Sequence, residues 1–287
     1  MSRISFGKTA VIGVGLLGAS VALALRESGL CGMIHGYGRS EDNLRRAKER
    51  GIIDEYRLSA REACADADLV LLSTPVGVFK SMAEEIKEYL KEGALVTDVG
   101  SIKGKMVSAL EELFSGRARY IGSHPIAGSD TSGIDEARAD LFRAARCIVT
   151  PTERSDSSAL ESIVSLWETL GARVEIMDAC RHDAIYGAVS HLPHLVAYAL
   201  VNTIGTAGED YIEYAGQGFR DTTRIAMSSP ELWRDVSLHN RENLLRLMDL
   251  FGDALDTLRR RLEENDAAGL ESEFSKARAL RKKIEER

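Results

Sequence analysis

The sequence has few cysteines, no excess of basic residues and no apolar run of membrane-spanning length. Its four cysteines lie far apart without a C-x-x-C pair, which excludes a disulfide scaffold and a short-spaced zinc site. We expect free thiols in a reducing cytosol at Cys31, Cys64, Cys147 and Cys180. The 44 acidic and 37 basic residues give a net charge of −7, which disfavours a dedicated nucleic-acid-binding protein.

The most apolar stretch lies near the N-terminus, at residues 10–25. It follows Arg3 and Lys8 as a signal peptide would, but it contains three glycines and is too short to cross a membrane as a helix. No other segment comes close to membrane-spanning character, so we expect a cytoplasmic protein that contacts neither membrane nor nucleic acid. A length of 287 residues with 44% hydrophobic residues predicts two globular domains.

The first half of the chain alternates short apolar runs with amphipathic ones. The predicted strands are Thr9–Val14, Met33–Tyr37, Leu69–Ser73, Leu95–Asp98, Tyr120–Ser123, Cys147–Thr150 and Arg173–Met177. The predicted helices are Leu17–Ser28, Asp42–Arg50, Val78–Leu90, Lys103–Phe114 and Ser157–Leu170. This alternation predicts an α/β domain over residues 1–177, with a Rossmann-type, doubly wound parallel sheet.

The strand signals fade after residue 177. Helical patterns follow at Ala184–Thr203, Asn243–Leu262 and Leu270–Arg287. We therefore expect an all-helical second domain over residues 178–287. Because its apolar stripes are wide for so small a domain, we expect one of them to be buried against another chain in a homodimer.

A glycine-rich motif connects the first predicted strand to the first predicted helix. Gly13, Gly15 and Gly18 form a G-x-G-x-x-G sequence in the context that dinucleotide-binding folds require. Gly13 permits the tight turn, Gly15 lets the backbone approach a pyrophosphate, and Gly18 lets helix and strand pack closely. Leu16 and Leu17 open the helix, whose N-terminus would hold the pyrophosphate.

The end of the second predicted strand indicates which dinucleotide binds. NAD-binding folds usually place an acidic residue there, but this chain has Gly38, followed by Arg39 and Ser40. A glycine and an arginine leave room and positive charge for a 2′-phosphate, which favours NADP. NAD stays open, because Glu41 and Asp42 are close by and Arg39 could instead be a solvated residue or stack on adenine.

Polar residues follow three predicted strands, at the sheet edge where doubly wound folds bind ligands. Ser73, Thr74 and Pro75 follow one strand and are candidate cofactor contacts. Ser101 follows another and would lie near the nicotinamide, although it could instead cap the next helix. His124 ends the third strand and is held extended by the following proline, which makes it the candidate general base.

The helical half adds further candidate substrate residues. His191 and His194 are three residues apart, but no third ligand is evident, so we expect no metal site. Arg220 and Arg224 suit carboxylate recognition, or one of them pairs with a nearby aspartate. Trp233 is either a core residue or a wall of the substrate site.

Six sequence stretches occur in a consistent order over residues 8 to 240. They read VIGVGLLGAS, DLVLLSTPVGVF, TDVGSIKG, SHPIAGSDTSG, SHLPH and GFRDTTRIAMSSPELWRD. With them the chain resembles the prephenate dehydrogenase family, which includes arogenate and cyclohexadienyl dehydrogenases of tyrosine biosynthesis. The resemblance implies a dimer through the helical domain and an acidic residue at the position of Gly38 in NAD-preferring members.

The resemblance also implies an activity, the oxidative decarboxylation of prephenate to 4-hydroxyphenylpyruvate with hydride transfer to NAD or NADP. His124 would accept the proton of the ring hydroxyl, and Ser101 would hydrogen-bond the same oxygen. Arg224 would bind a substrate carboxylate and His191 would contact the substrate. Asp130 would lie near the substrate side chain, where an acid could pair with the amine of arogenate or control access of prephenate, the substrate we favour.

Three alternatives remain open at this stage. The chain could be an arogenate dehydrogenase that forms tyrosine. It could be another Rossmann-type enzyme, such as a β-hydroxyacid dehydrogenase or an imine reductase, although those would place a catalytic lysine, tyrosine or serine in the helical domain. It could also be a dinucleotide-sensing module without turnover, which would not need both Ser101 and His124.

Overall fold

A computed structural model describes residues 4–128 and 133–285 of the chain. The described residues form eight strands: β1 (Phe6–Ile12), β2 (Cys31–Tyr37), β3 (Glu55–Tyr56), β4 (Leu69–Leu72), β5 (Ala94–Asp98), β6 (Ala118–Pro125), β7 (Arg146–Thr150) and β8 (Arg173–Ile176). They also form twelve α-helices: α1 (Leu16–Glu27), α2 (Glu41–Glu49), α3 (Ala60–Cys64), α4 (Phe79–Ile86), α5 (Gly104–Phe114), α6 (Ser157–Thr169), α7 (Ala179–Tyr186), α8 (Leu192–Ala207), α9 (Gln217–Thr223), α10 (Pro230–His239), α11 (Arg241–Glu263) and α12 (Ala267–Glu285).

The strands form one sheet in the order β3-β2-β1-β4-β5-β6-β7-β8. Neighbouring strands are parallel except β6 and β7, which pair antiparallel, with His124 opposite Ile148. The order reverses direction at β1, as in a doubly wound dinucleotide-binding sheet, which confirms the predicted fold class. The expectation of a wholly parallel sheet is wrong at β7. The described part of the β6–β7 connection contains a 3₁₀ turn (Ile134–Glu136) and no α-helix, whereas parallel neighbours are usually joined by a helical crossover.

Strand β4 shows that the sheet is covered by apolar clusters on both faces. All four of its residues are fully buried, with Leu69 and Leu71 in the apolar cluster on one face and Val70 and Leu72 in the cluster on the other. Helices α1, α2 and α6 contribute to the first cluster, and α3, α4 and α5 contribute to the second. A continuous apolar run is expected of a parallel strand covered on both faces.

The helical half begins directly after β8, because α7 starts at Ala179. The chain divides into two compact units, Met1–Asn240 and Arg241–Arg287. Helices α7 to α10 therefore belong to the same unit as the sheet, and α11 and α12 form the second unit. Within that second unit, Asp266 accepts hydrogen bonds from Arg261 Nη1 at 2.8 Å and from Gly269 N at 2.9 Å across the turn between the helices. The functional boundary near residue 177 stays a prediction.

Helix α7 continues through a π-helical turn (Gly187–His191) into α8. The resulting helix, Ala179–Ala207, is long and apolar enough to cross a membrane when judged by length and composition alone. The expectation that no segment comes close was wrong, because the sequence pattern predicted a shorter helix of residues 184–203. Only 22% of its most apolar window is buried inside the chain, so this helix leaves an apolar face open to a partner.

Candidate active site

The glycine-rich loop has the conformation that its motif predicts. Gly13 has a φ of +104°, and its N–H donates to Tyr37 O at 2.8 Å. A Cβ at Gly13 would lie 2.7 Å from the Ser73 carbonyl, and one at Gly18 would lie 2.2 Å from Gly13 O. A Cβ at Gly15 would meet nothing within 4 Å. Gly13 and Gly18 are therefore required by packing, whereas Gly15 leaves space for a ligand.

A cleft of about 570 Å³ opens at the carboxyl ends of β1, β2 and β4. Seven of the predicted cofactor residues line it: Gly13, Gly15, Arg39, Ser40, Ser73, Thr74 and Pro75. Leu16, Leu17 and Gly18 are not part of the lining. The Leu16 and Leu17 side chains pack against the core, and their backbone N–H groups lie in the first turn of α1, where a helix can bind an anion.

The hydroxyl groups at the end of β4 differ in how they are used. Ser73 Oγ donates to Gly13 O at 2.8 Å and so fastens the glycine loop to β4. Thr74 Oγ1 is buried and has no hydrogen-bond partner among the described residues. An orphaned hydroxyl beside the open space at Gly15 fits a dinucleotide, which can satisfy the hydroxyl and occupy the space.

The β2 end of the cleft is exposed and carries both signs of charge. The Arg39 side chain is 82% exposed, and its Nη1 lies 4.0 Å from Glu231 Oε1 of α10. Ser40 caps α2 by accepting from Asn43 N at 3.2 Å. Its predicted cofactor contact would therefore add to a capping role.

Helix α10 forms a second wall of the same cleft, which sequence reasoning missed. Glu231, Arg234 and Asp235 all line it. Arg234 Nη2 pairs with Asp235 Oδ1 at 2.6 Å, and Asp235 Oδ2 lies so close to Gly77 that a Cβ there would be 2.3 Å away. The P-E-L-W-R-D segment belongs to one of the six stretches that carry the family resemblance, but nothing in its pattern shows that α10 folds back on the sheet.

A buried ion pair supports the loop that carries Ser101. Asp98 and Lys103 are fully enclosed and pair directly, and Asp98 also accepts from Tyr120 OH at 2.6 Å and from Gly100 N at 2.7 Å. Burial and the adjacent Asp98 raise the pKa of Tyr120 well above its usual value, so the phenol stays a donor. Helix α5 begins at Gly104 with Lys103 at its N-cap, so the alternative in which Ser101 caps this helix is wrong.

His124 belongs to a hydrogen-bonded chain of three side chains. Its Nδ1 lies 2.8 Å from His182 Nε2, and His182 Nδ1 lies 2.8 Å from Asp183 Oδ1. Asp183 Oδ1 also accepts from Lys103 N at 2.8 Å. The Tyr186 ring contacts His124 edge-on, with ring centroids 5.2 Å apart. The buried ion pair and the histidine pair are thus parts of one network at the ends of β5 and β6.

The environment of this network keeps both histidines neutral. The pKa of His124 lies well below its usual value, first because the ring is desolvated and then because His182 and Lys103 are nearby. Burial also lowers the pKa of His182, against the opposing effect of Asp183. His182 and Asp183 were missed from sequence, although an adjacent His-Asp pair at the start of a helix is a usable signal.

His191 is enclosed, being only 1% exposed. Its Nδ1 lies 2.9 Å from Asn240 Nδ2, which also donates to Asp183 O at 2.8 Å. Burial lowers the pKa of His191 to about 4, so the ring is neutral and Nδ1 accepts from the amide. The proton is then on Nε2, which is buried without a partner among the described residues and fits a hydrogen-bonding ligand.

Trp233 forms an aromatic wall on α10. It stacks on His194, with ring centroids 3.4 Å apart and an interplanar angle of 19°, and its ring centroid lies 5.9 Å from that of His191.

The other predicted substrate residues lie elsewhere. Arg224 is exposed at the start of a 3₁₀ turn (Arg224–Met227) after α9. Asp130 lies outside the described residues. Among the described residues, no three His, Cys, Asp or Glu side chains form a group that could hold a metal ion.

Comparison with known proteins identifies both halves of the chain. Residues 21–176 match the family description "Prephenate dehydrogenase, nucleotide-binding domain", and residues 178–276 match "Prephenate dehydrogenase, dimerization domain". A prephenate dehydrogenase of Bacillus subtilis is 35% identical, over 94% of this chain and 74% of its own length. A cyclohexadienyl dehydrogenase of Zymomonas mobilis is 32% identical, over 96% of this chain and 95% of its own.

Solved structures agree with these sequence matches. A prephenate dehydrogenase of A. aeolicus, in complex with hydroxyphenyl propionate and NAD⁺, has a TM-score of 0.92 at 37% identity, covering 99% of this chain and 100% of its own. An arogenate dehydrogenase of Synechocystis has a TM-score of 0.79 at 31% identity, covering 96% and 99%. Together with the cleft and the histidine at the end of β6, these matches show that the chain belongs to the prephenate dehydrogenase family.

Proposed function

We propose that this chain is a prephenate dehydrogenase, which converts prephenate to 4-hydroxyphenylpyruvate and CO₂ in tyrosine biosynthesis. The observation that carries the proposal is the position of His124. It ends β6 at the same sheet edge at which β1 and β4 form the dinucleotide cleft, because these strands run parallel. The similarity to named prephenate dehydrogenases over more than nine-tenths of the chain supports the same reaction.

His124 is the general base in this proposal. Because its pKa is lowered, the ring is neutral near pH 7 and can accept the proton of the substrate ring hydroxyl. Ser101 donates a hydrogen bond to the same oxygen. A bound nicotinamide would take up the hydride from the carbinol carbon. Loss of the ring carboxylate as CO₂ then yields an aromatic ring, so the reaction needs no metal ion as electron sink.

The substrate is held by residues of the helical half. Arg224 binds a carboxylate of the substrate by its fork of donors. His191 donates from Nε2, the atom for which the described residues supply no partner. Trp233 provides an apolar wall, and Asp130 controls the access of prephenate to the site. Prephenate is favoured over arogenate, the substrate named for the Synechocystis relative.

The cofactor is a nicotinamide dinucleotide, and NADP is our proposal for the preferred form. The absence of an acid at Gly38 and the exposed guanidinium of Arg39 support a contact with a 2′-phosphate. The A. aeolicus relative binds NAD⁺, and Glu231 near Arg39 adds to Glu41 and Asp42 as a feature of this chain that favours NAD. The balance between these charges decides the preference.

We further propose that the chain acts as a homodimer in the cytoplasm. The match of residues 178–276 to a dimerization domain and the open apolar face of Ala179–Ala207 support the dimer. The cytoplasmic location is supported by the four free cysteines, of which Cys64 and Cys147 are buried.

Initial rates in a two-by-two experiment test these proposals. Prephenate or arogenate is combined with NAD or NADP, and reduced cofactor is followed by its absorbance. We expect the highest kcat/KM with prephenate and NADP. Preference for arogenate would replace the substrate assignment, and preference for NAD would replace the cofactor assignment. No turnover in any combination by a folded protein that binds dinucleotide would reject the reaction.

A further inference from the structure

His124 has two ring nitrogens, and only one arrangement of its proton suits a base. We propose that His182 and Asp183 are positioning residues that hold the His124 proton on Nδ1 and leave the lone pair on Nε2 for the substrate hydroxyl. This inference rests on the proposed role of His124 as the base, but it concerns residues that contact neither substrate nor cofactor in that proposal.

Asp183 is the last of the three hydrogen-bonded side chains. Its Oδ1 accepts from Lys103 N, so this oxygen is an acceptor, and the 2.8 Å contact with His182 requires a proton on His182 Nδ1. A neutral imidazole carries only one proton, so His182 Nε2 is an acceptor.

The tautomer of His182 then determines that of His124. Because His182 Nε2 accepts, the 2.8 Å contact requires a proton on His124 Nδ1. Neutral His124 therefore has its lone pair on Nε2, for which the described residues supply no hydrogen bond. Each of these two hydrogen bonds can run in only one direction, so the Asp183 carboxylate fixes the position of the proton on His124.

The protein holds the chain in place from several sides. His182 is completely buried, and Asp183 is 5% exposed. A Cβ at Gly104 would lie 2.4 Å from Asp183 Oδ2, so only glycine allows this carboxylate to reach the start of α5. Asn240 Nδ2 donates to Asp183 O and anchors the same turn of α7. These contacts leave His182 little freedom to turn its ring.

The arrangement depends on His182 being neutral. A protonated His182 would donate from Nε2 to His124 Nδ1, and the His124 proton would move to Nε2, where it blocks the base. Asp183 and Asp98 favour a charged His182, but Lys103 at the start of α5, itself paired with Asp98 of β5, opposes it. Burial likewise lowers the pKa of His182.

Two substitutions of His182 separate positioning from simple packing. His182→Phe keeps an aromatic ring but removes both hydrogen bonds. In His182→Gln, the terminal amide reaches as far as Nε2, so its oxygen can accept from His124 while its NH₂ group donates to Asp183. His35→Phe is the matched control, because His35 is also a buried histidine but lies on β2, where its contact is Met33.

The decisive measurement is the tautomer of His124, read from long-range ¹H–¹⁵N correlations in protein labelled with ¹⁵N-histidine. The His124 signals are assigned by their loss in His124→Asn. We expect Nδ1 to be protonated in wild type, in His182→Gln and in His35→Phe, and a mixture of tautomers in His182→Phe. We expect kcat for prephenate to fall about 10²- to 10⁴-fold in His182→Phe, with KM nearly unchanged and partial recovery in His182→Gln.

The outcomes distinguish this inference from the proposed function. A wild-type His124 protonated on Nε2, or an unchanged tautomer and kcat in folded His182→Phe, would overturn the inference. If His182→Phe does not fold, the wild-type tautomer alone still decides. If wild type turns over none of the tested substrates but shows the expected tautomer, lost in His182→Phe, the positioning role stands and the proposed reaction fails.

Discussion

At the scale of single residues, the state of His124 governs how activity depends on pH. A base works only when unprotonated, so kcat/KM falls as pH drops through its pKa in the free enzyme. Because burial, His182 and Lys103 lower that pKa, we expect kcat/KM to stay constant from pH 7.5 to below the ordinary histidine value of about 6.5. A pH series of initial rates with prephenate measures this, and a decline centred at or above pH 6.5 would contradict it.

His124→Asn tests the same residue directly. Removing a general base lowers kcat by about 10²- to 10⁴-fold, while dinucleotide affinity should be unchanged because His124 lies outside the lining of the cofactor cleft. Titration of the variant with NAD and NADP provides the control. Near-normal kcat would exclude His124 as the base. Ser101 would then be the only proposed residue that hydrogen-bonds the substrate hydroxyl.

Residues that act through local sequence could be predicted, and those that act through distant partners could not. His124 is recognisable because it ends a strand and precedes a proline. His182 and Asp183 stand out as an adjacent pair, but the sequence does not show what they contact, because their partners lie 58 and 80 residues away in the chain. Nothing in the sequence shows that the ammonium group of Lys103 is buried against Asp98.

At the scale of elements, the strand–glycine loop–helix unit offers a matched pair of substitutions. Gly18→Ala would place a methyl group 2.2 Å from Gly13 O, so the backbone must shift. We expect it to lower the free energy of unfolding by about 1–3 kcal/mol, as other overpacked sites do. Gly15→Ala meets nothing within 4 Å, so stability should change by less than about 1 kcal/mol.

Dinucleotide binding should respond differently in this pair. The methyl group of Gly15→Ala occupies the space through which a pyrophosphate approaches the backbone, so we expect Kd to rise at least tenfold in a well-folded protein. Denaturant unfolding and fluorescence titration with NAD and NADP measure the two effects separately. Normal dinucleotide affinity in Gly15→Ala would show that the cofactor does not cross this loop.

Helix α10 meets the β2–α2 loop across the cleft, and we expect this contact to set cofactor preference. Glu231→Gln removes a negative charge 4.0 Å from Arg39 and should improve NADP binding several-fold, with little effect on NAD. Arg39→Ala should weaken NADP binding much more than NAD binding. Kd values from titration give the ratio for each variant. Equal effects on both dinucleotides would assign Arg39 to adenine stacking.

Elements with continuous apolar runs were predicted well, since burial on both faces of a sheet leaves a clear pattern. All the described strands except β3 lie at their predicted places, within a few residues. Strand β3 was missed because it has only two residues. The start of α7 was missed because Ala179–Tyr186 carries polar residues, among them the hydrogen-bonded His182 and Asp183, rather than an apolar stripe.

At the scale of the whole molecule, the helical half has an apolar surface that the single chain leaves uncovered. The most apolar window of the Ala179–Ala207 helix is 22% buried, although a single chain normally covers its most apolar helix. We therefore expect this face to lie within a homodimer interface, and sedimentation equilibrium should give twice the mass of one chain.

Ala199→Glu tests the assignment of this face. Ala199 is exposed on α8, so the substitution should leave the fold of one chain intact while placing a charge in the proposed interface. We expect dimer dissociation to become at least tenfold more favourable, because burying an unpaired carboxylate costs several kcal/mol (order of magnitude). Thr169→Glu, on the exposed side of α6, introduces the same charge away from α8 and should leave the dimer unchanged. If Ala199→Glu stays as dimeric as wild type, a different surface must carry the interface.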